Sequence, residues 1–253
     1  LRSNYDLMKL RFVLIISTFL LFSFSATEPL RVFLIGDSTM ADKIPADFPE
    51  TGWGMPFAKL FNEAVEVQNH AYNGRSTKSF RREGRWAKVQ AQLKKGDYVF
   101  IQFGHNDAKV ADSTRYTNPH TTYRHNLIRF VTEARAKGAI PILFSSIARR
   151  NFNEQGVLIG THGDYPLAMR LVAQEYQVPF IDLEYFSELL EQTYGPEKSK
   201  ELHLHFKAGE HPYYPEGKSD DTHLSRKGAA EIATIAVREL KKLNLGLNAF
   251  YKK

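Results

Sequence analysis

A three-layer α/β/α fold is predicted for this 253-residue chain, with one parallel sheet covered by helices on both faces. Two observations predict it. Short apolar runs bounded by turn residues, at 32–35, 98–103, 140–145 and 178–183, read as buried strands. Amphipathic segments of helical period lie between them, and strands alternating with helices form βαβ units. Hydrophobic residues at 43% and charged residues at 25%, with no repeat, low-complexity tract or long charge block, fit one globular domain.

The N-terminus differs in kind. Met8-Lys9-Leu10-Arg11 precedes the apolar run 12–24, and Ser23 and Ser25 supply small residues before Ala26, the pattern of a secretory signal peptide. The run is short for a membrane span, which leaves an uncleaved anchor as the alternative. Residues before Met8 read as an early start. The expected division is a signal peptide at 1–25 and one domain at 26–253, in a secreted or periplasmic protein. The chain has no cysteine, so disulfides, thiolate chemistry and cysteine lipidation are all unavailable to it. Of the formal charge of +6, the leader holds Arg2, Lys9 and Arg11 against Asp6, which leaves +4. A mildly basic protein favours acidic polymers or anionic surfaces without choosing among them.

Taken in order, the strand at 32–35 stops at Gly36. Gly52-Trp53-Gly54 opens a helix with Phe57, Leu60 and Phe61 on one side, and 65–67 reads as a short strand. The segment 69–74 is rich in turn residues and leads into a basic stretch, 75–86. A helix through Val89 and Leu93 ends at Lys94-Lys95-Gly96, cations in the last turn and a glycine beyond it. The strand at 98–103 runs into Gly104-His105-Asn106-Asp107. Tyr123, Leu127, Phe130, Val131 and Ala134 recur at helical spacing within 121–137, closed by Gly138. After the strand at 140–145 comes a helix capped by Asp164, with Pro166 in its first turn and Tyr165, Met169, Val172 and Tyr176 as its stripe. The last strand is 178–183. A final helix, 226–242, capped by Ser225, buries Ala230, Ala233, Ile235 or Ala236, and Leu240, and 219–225 before it reads as a polar loop.

Open parallel sheets bind ligands beyond the carboxyl ends of their strands, where Ser38, Gly74 and Asn106 all fall. A serine just past a strand-ending turn suits an acyl-transfer nucleophile, although Gly36-Asp37-Ser38 alone is also ordinary turn chemistry. Such a serine needs a base, and the base needs a carboxylate on its other ring nitrogen. Asp220, three residues before His223, can fold back onto the imidazole; read alone, Asp220 or Asp221 also suits a cap for the coming helix. His203, His205 and His211 lack the carboxylate or cysteine companions of a metal site, so no metal is expected. His105 either lines the pocket or bonds the backbone there.

Four blocks in chain order, GDST at Ser38, NGRS at Gly74, GHND at Asn106 and DDTH at Asp220 and His223, resemble the GDSL/SGNH hydrolase superfamily. The additional GRST-x-SF, GRW, THGDYP and DxTHLS-type elements make nearly the whole mature chain similar to the rhamnogalacturonan acetylesterase family of carbohydrate esterases. Thr39 stands where the superfamily's name has leucine. The resemblance implies the SGNH hydrolase fold, a three-layer sandwich around a parallel, flavodoxin-like sheet. It further implies Ser38 as nucleophile, His223 as general base and then acid, and Asp220 as its orienting carboxylate. The oxyanion hole would combine the backbone N–H groups of Ser38 and Gly74 with the Asn106 amide. The activity implied is removal of acetyl groups from a pectic polysaccharide, through an acetyl-serine and without a cofactor. An acetylated acidic plant polysaccharide or its oligosaccharides is then the expected partner, with neither nucleic acid nor, after signal cleavage, membrane. Arg75, Lys78 and His105 are candidate substrate contacts, and a solvated helix face is the plainer reading of the cations. A lipase or thioesterase of the superfamily is the enzymatic alternative. A non-catalytic polysaccharide-binding protein is disfavoured, because binding alone needs no triad.

Overall fold

The computed structural model describes residues 28–252, so the expected signal peptide lies outside the described residues. A parallel sheet of five strands runs in the order β2-β1-β3-β4-β5. The strands are β1 (Leu30–Gly36), β2 (Val65–Asn69), β3 (Tyr98–Gln102), β4 (Ile140–Phe144) and β5 (Phe180–Ile181). This is the flavodoxin-like order, and the chain reverses direction across the sheet beside β1. The crevice at such a switch point opens at the carboxyl end of β1, two residues before Ser38.

Among the described residues seven helices cover the sheet: α1 (Gly54–Ala58), α2 (Thr77–Arg82), α3 (Arg85–Gln92), α4 (Arg124–Ala136), α5 (Tyr165–Glu175), α6 (Leu183–Lys198) and α7 (Arg226–Lys242). Successive strand side chains point to opposite faces, so a strand covered on both sides must be apolar throughout. Val32, Leu34, Phe100 and Phe144 accordingly pack with Trp53, with Phe57 of α1 and with Ala229, Ala233, Ala236 and Leu240 of α7. Phe33, Ile35, Val99 and Ile101 face the opposite layer, built by Phe80 of α2, Trp86 and Val89 of α3, Phe130 of α4 and Met169 of α5. Each fully buried Leu- or Phe-sized side chain contributes roughly 1.5–3 kcal/mol, which makes this double-sided burial the main support of the sheet.

Several elements differ from expectation for identifiable reasons. Within the basic stretch 75–86, Gly84, left-handed at φ +70°, separates α2 from α3, and α3, the helix expected through Val89 and Leu93, ends at Gln92. α1 stops at Ala58, and the buried Phe61 instead pairs in an isolated bridge with Tyr251. Strand 178–183 shrinks to β5, since Leu183 already begins α6 under the Asp182 cap. α6 was not anticipated, although Leu183, Phe186 and Leu190 carry helical spacing. In α7 the inward residue is Ala229, with Ala230 exposed, while Ile235 and Ala236 are both buried. Asp164 makes no side-chain cap bond, and its carboxylate takes His120 Nε2 at 3.0 Å instead. The supposed loop 219–225 is largely strand: β7 (Lys218–Leu224) pairs antiparallel with β6 (His203–Phe206). Its Asp-rich sequence has low strand preference, and the ladder to a distant segment overrides it. Among the described residues no helix is long and apolar enough to cross a membrane.

Candidate active site

The turn after β1 is held from behind. Met40 and Ala41 donate their N–H groups to Asp37 O, while the Asp37 carboxylate accepts from Thr39 N at 3.0 Å and Thr39 Oγ1 at 2.8 Å. Burial raises the Asp37 carboxyl above its ordinary value against the lowering effect of those Thr39 bonds. Thr39 Oγ1 also accepts from Gln102 Nε2 at 2.9 Å, and Gln102 in turn accepts from Trp53 Nε1 at 2.6 Å. Thr39 is therefore a buried strut between β1 and β3, and Ser38 is the residue of the turn that meets a histidine.

Ser38 Oγ lies 3.0 Å from His223 Nε2, and His223 Nδ1 lies 2.9 Å from Asp220 Oδ2. Asp220 cannot swing away. Its Oδ1 accepts the backbone N–H groups of Thr222 at 2.9 Å and His223 at 3.0 Å. Burial would raise the Asp220 carboxyl, but the bonds from the His223 ring and these amides outweigh it and hold the group well below the carboxylate range. An ionised Asp220 fixes a proton on Nδ1 and leaves Nε2 free to accept from the serine hydroxyl. Asp221, the neighbouring carboxylate, pairs elsewhere, with Arg150 and His205 at 2.8 Å each.

Two more residues stand at this serine without having been anticipated. The Lys43 side chain is fully buried, and its ammonium donates to Ser38 O at 2.7 Å and Asn73 Oδ1 at 2.6 Å and pairs with Glu50 at 2.6 Å. Its three protons are all engaged. Glu50 Oε1 in turn lies 4.0 Å from His223 Nε2. No motif spacing flags either residue; only the fold brings 43 and 50 to 223.

Gly74 sits at φ +76°, a left-handed conformation that suits glycine. Among the described residues neither the Ser38 N–H nor the Gly74 N–H has a hydrogen-bond partner. Asn106 Nδ2 donates to Arg75 O at 3.1 Å and keeps a second proton for a ligand, and its Oδ1 accepts from Arg115 Nη1 at 3.3 Å. The third block is thus tied to the second one residue from Gly74. Asp107 tightens the same joint by accepting Thr77 N at 3.0 Å, Thr77 Oγ1 at 2.5 Å and Thr117 Oγ1 at 2.6 Å. Burial nevertheless pushes the Asp107 carboxyl up to about 7.

His105 points away from solvent, into a file of buried side chains. Its Nδ1 lies 2.9 Å from His162 Nε2, and His162 Nδ1 lies 2.8 Å from Glu184 Oε1. Arg149 donates to His105 O at 3.2 Å and to Thr161 Oγ1 at 2.9 Å. Burial first, then neighbouring positive charge, pushes the His105 imidazole well below its ordinary value, so it stays neutral. Arg75 and Lys78 are already engaged: Arg75 with Glu83 at 2.9 Å and with the Tyr72 ring, Lys78 with Ser113 O at 2.8 Å. A cleft of about 310 Å³ opens beside Gly74, and Arg82 and Arg115 join Arg75 in its wall against Glu83 and Asp112. On β6, His203 bonds Glu191 and His205 bonds Asp221, so the two histidines do not converge.

A flavodoxin-like sheet with a serine, histidine and aspartate in file at the carboxyl end of β1 defines the class, an α/β serine hydrolase. Within that class the chain belongs to the GDSL-like lipase/acylhydrolase family, whose sequence model matches residues 34–231. It is 46% identical over 220 residues to the rhamnogalacturonan acetylesterase RhgT of Bacillus subtilis, covering 87% of this chain and 93% of that one. It is 36% identical over 217 residues to the probable rhamnogalacturonan acetylesterase YesY of the same organism, covering 86% and 95%. Among solved structures, B. subtilis YxiM matches at TM-score 0.70 and 26% identity over 85% of this chain, which spans 57% of that longer protein. The acetyl-xylooligosaccharide esterase Axe2 of Geobacillus, at TM-score 0.61 and 20% identity over 88% of this chain and 97% of that one, shares the fold.

Proposed function

We propose that the protein is an exported serine esterase that removes acetyl groups from an acidic pectic polysaccharide, rhamnogalacturonan above all. The observation that carries the chemistry is the file from Ser38 Oγ to His223 at 3.0 Å and on to Asp220 at 2.9 Å. Ser38 Oγ attacks the acetyl carbonyl as His223 Nε2 takes the hydroxyl proton, and Asp220 and Glu50 face the resulting imidazolium. The oxyanion accepts from the N–H groups of Ser38 and Gly74 and from the spare proton of Asn106 Nδ2. Collapse returns the proton to the departing sugar oxygen and leaves acetyl-Ser38. Water, deprotonated by His223, then releases acetate and restores the serine.

The substrate rests on RhgT and YesY, both named for rhamnogalacturonan, and on the arginine-bearing cleft beside Gly74. The leader-like segment before residue 26 supports export, to the periplasm or medium where such a polymer is met. Acetate release from acetylated rhamnogalacturonan, homogalacturonan and xylan tests the reading. We expect the first to be fastest and Ser38→Ala to abolish it. Faster release from xylan, or undiminished turnover in the alanine variant, contradicts it.

A further inference from the structure

The turn that joins β6 to β7 carries an aromatic group, one member of which neither the fold nor the triad requires. Phe206 and Tyr214 stack at 5.6 Å and 23°, His211 packs on Phe206 at 4.9 Å, and Tyr213 stacks on His211 at 5.8 Å and 27°. A hydrophobic seal for the turn accounts for Phe206, His211 and Tyr214, which are partly buried. It does not account for Tyr213, which extends the stack and is 51% exposed.

The turn stands beside the reacting groups. β7 leaves it and within a few residues delivers Asp220 and His223. Lys218 Nζ lies 5.7 Å from the centre of the Tyr214 ring and 3.6 Å from Asp220 Oδ2, so one lysine spans the gap between the aromatic group and the triad. The Tyr214 hydroxyl is raised first by burial and then by the charges of Glu50 and Asp220, which places it within the field of the same site.

We propose that Tyr213 and Tyr214 form a sugar-stacking subsite that receives the apolar face of a pyranose ring adjoining the acetylated residue. The proposal rests on the polysaccharide reading above and deepens it. A pyranose presents C–H groups on its face and hydroxyls at its edge. Tyrosine matches both, with an apolar ring and a polar tip. Lys218, partly exposed and within ion-pair reach of Asp220, places a positive charge between ring and triad, where the carboxylate of a uronate unit would also meet it. Of the two cations beside Gly74, Arg75 pairs with Glu83, and the exposed Lys78 donates to Ser113 O.

The test is the ratio of kcat/KM on acetylated rhamnogalacturonan to kcat/KM on 4-nitrophenyl acetate, measured for wild type, Tyr213→Ala, Tyr213→Phe and Tyr214→Ala. Loss of one aromatic contact should lower the ratio about three- to tenfold, through KM for the polymer. Tyr213→Phe keeps the ring and should retain most of the ratio. Because Tyr213 is half-exposed, its alanine variant should unfold at the wild-type temperature, which keeps the measurement readable if Tyr214→Ala misfolds. A wild-type ratio in Tyr213→Ala, with the polymer still a good substrate, overturns the subsite alone. A wild-type protein that cleaves the small ester but releases no acetate from the polymer overturns the polysaccharide reading and the subsite with it.

Discussion

Asp220 and Asp221 are adjacent in sequence and opposite in placement. The first holds His223 Nδ1 at 2.9 Å, the second Arg150 and His205. Asp220→Ala should therefore reduce turnover far more than Asp221→Ala, and comparable losses in kcat would refute the assignment of the orienting carboxylate. Asp220 also links stability to pH. Its folded-state pKa is depressed, so its contribution is complete above the unfolded value of about 3.9 and is lost as pH falls from there. The Tm difference between wild type and Asp220→Asn should narrow below about pH 4. A constant difference down to acid unfolding would show that the carboxylate gains nothing on folding. For the oxyanion set, Asn106→Ala should lower kcat by roughly 10²–10³ with little change in KM. The His105–His162–Glu184 file holds the residue just before Asn106, so His105 should act through it. In that case His105→Gln lowers kcat in the wild-type background but adds almost nothing to Asn106→Ala, and fully multiplicative losses would make the two independent. Lys43 and Glu50 belong to this scale too. Neither was legible beforehand, because a lone lysine and a lone glutamate carry no spacing signal.

Among the elements, the long apolar strands and stripes were legible because burial on two faces leaves a direct trace in the sequence. β7 was not, since its ladder to β6 is made by backbone groups and its side chains are polar. The joint between that hairpin and α7 has a steric signature. Gly228 lies inside α7, where replacement by alanine ordinarily stabilises a helix by about 1 kcal/mol. Here a Cβ would fall 2.0 Å from Leu202 O, just before β6 begins. Gly228→Ala should instead lower Tm and, by shifting the hairpin that carries Asp220 and His223, reduce turnover. A variant more stable than wild type would mean that the helix and strand can separate without cost.

Across the whole molecule, the net positive charge and the arginines beside Gly74 should attract an anionic polymer over a distance set by salt. Raising ionic strength shortens that reach to about 10 Å at 0.1 M, so kcat/KM on acetylated polyuronide should fall while a neutral acetyl ester is unaffected. Equal responses of the two substrates would leave the charge to solubility. The sequence by itself determined the α/β class, the four blocks in order and the residues Ser38, Gly74, Asn106, Asp220 and His223 as candidates. Apolar periodicity and fixed motif spacing are local, and the chain displays them before it folds. Only the tertiary structure decided that Thr39 braces two strands, that Lys43 and Glu50 attend the serine, and that Arg75 pairs with Glu83 while Lys78 donates to Ser113 O. It also decided that an aromatic turn stands beside Asp220. Each of those facts joins residues that the sequence keeps apart or does not distinguish, and a contact of that kind comes into being only when packing closes the distance.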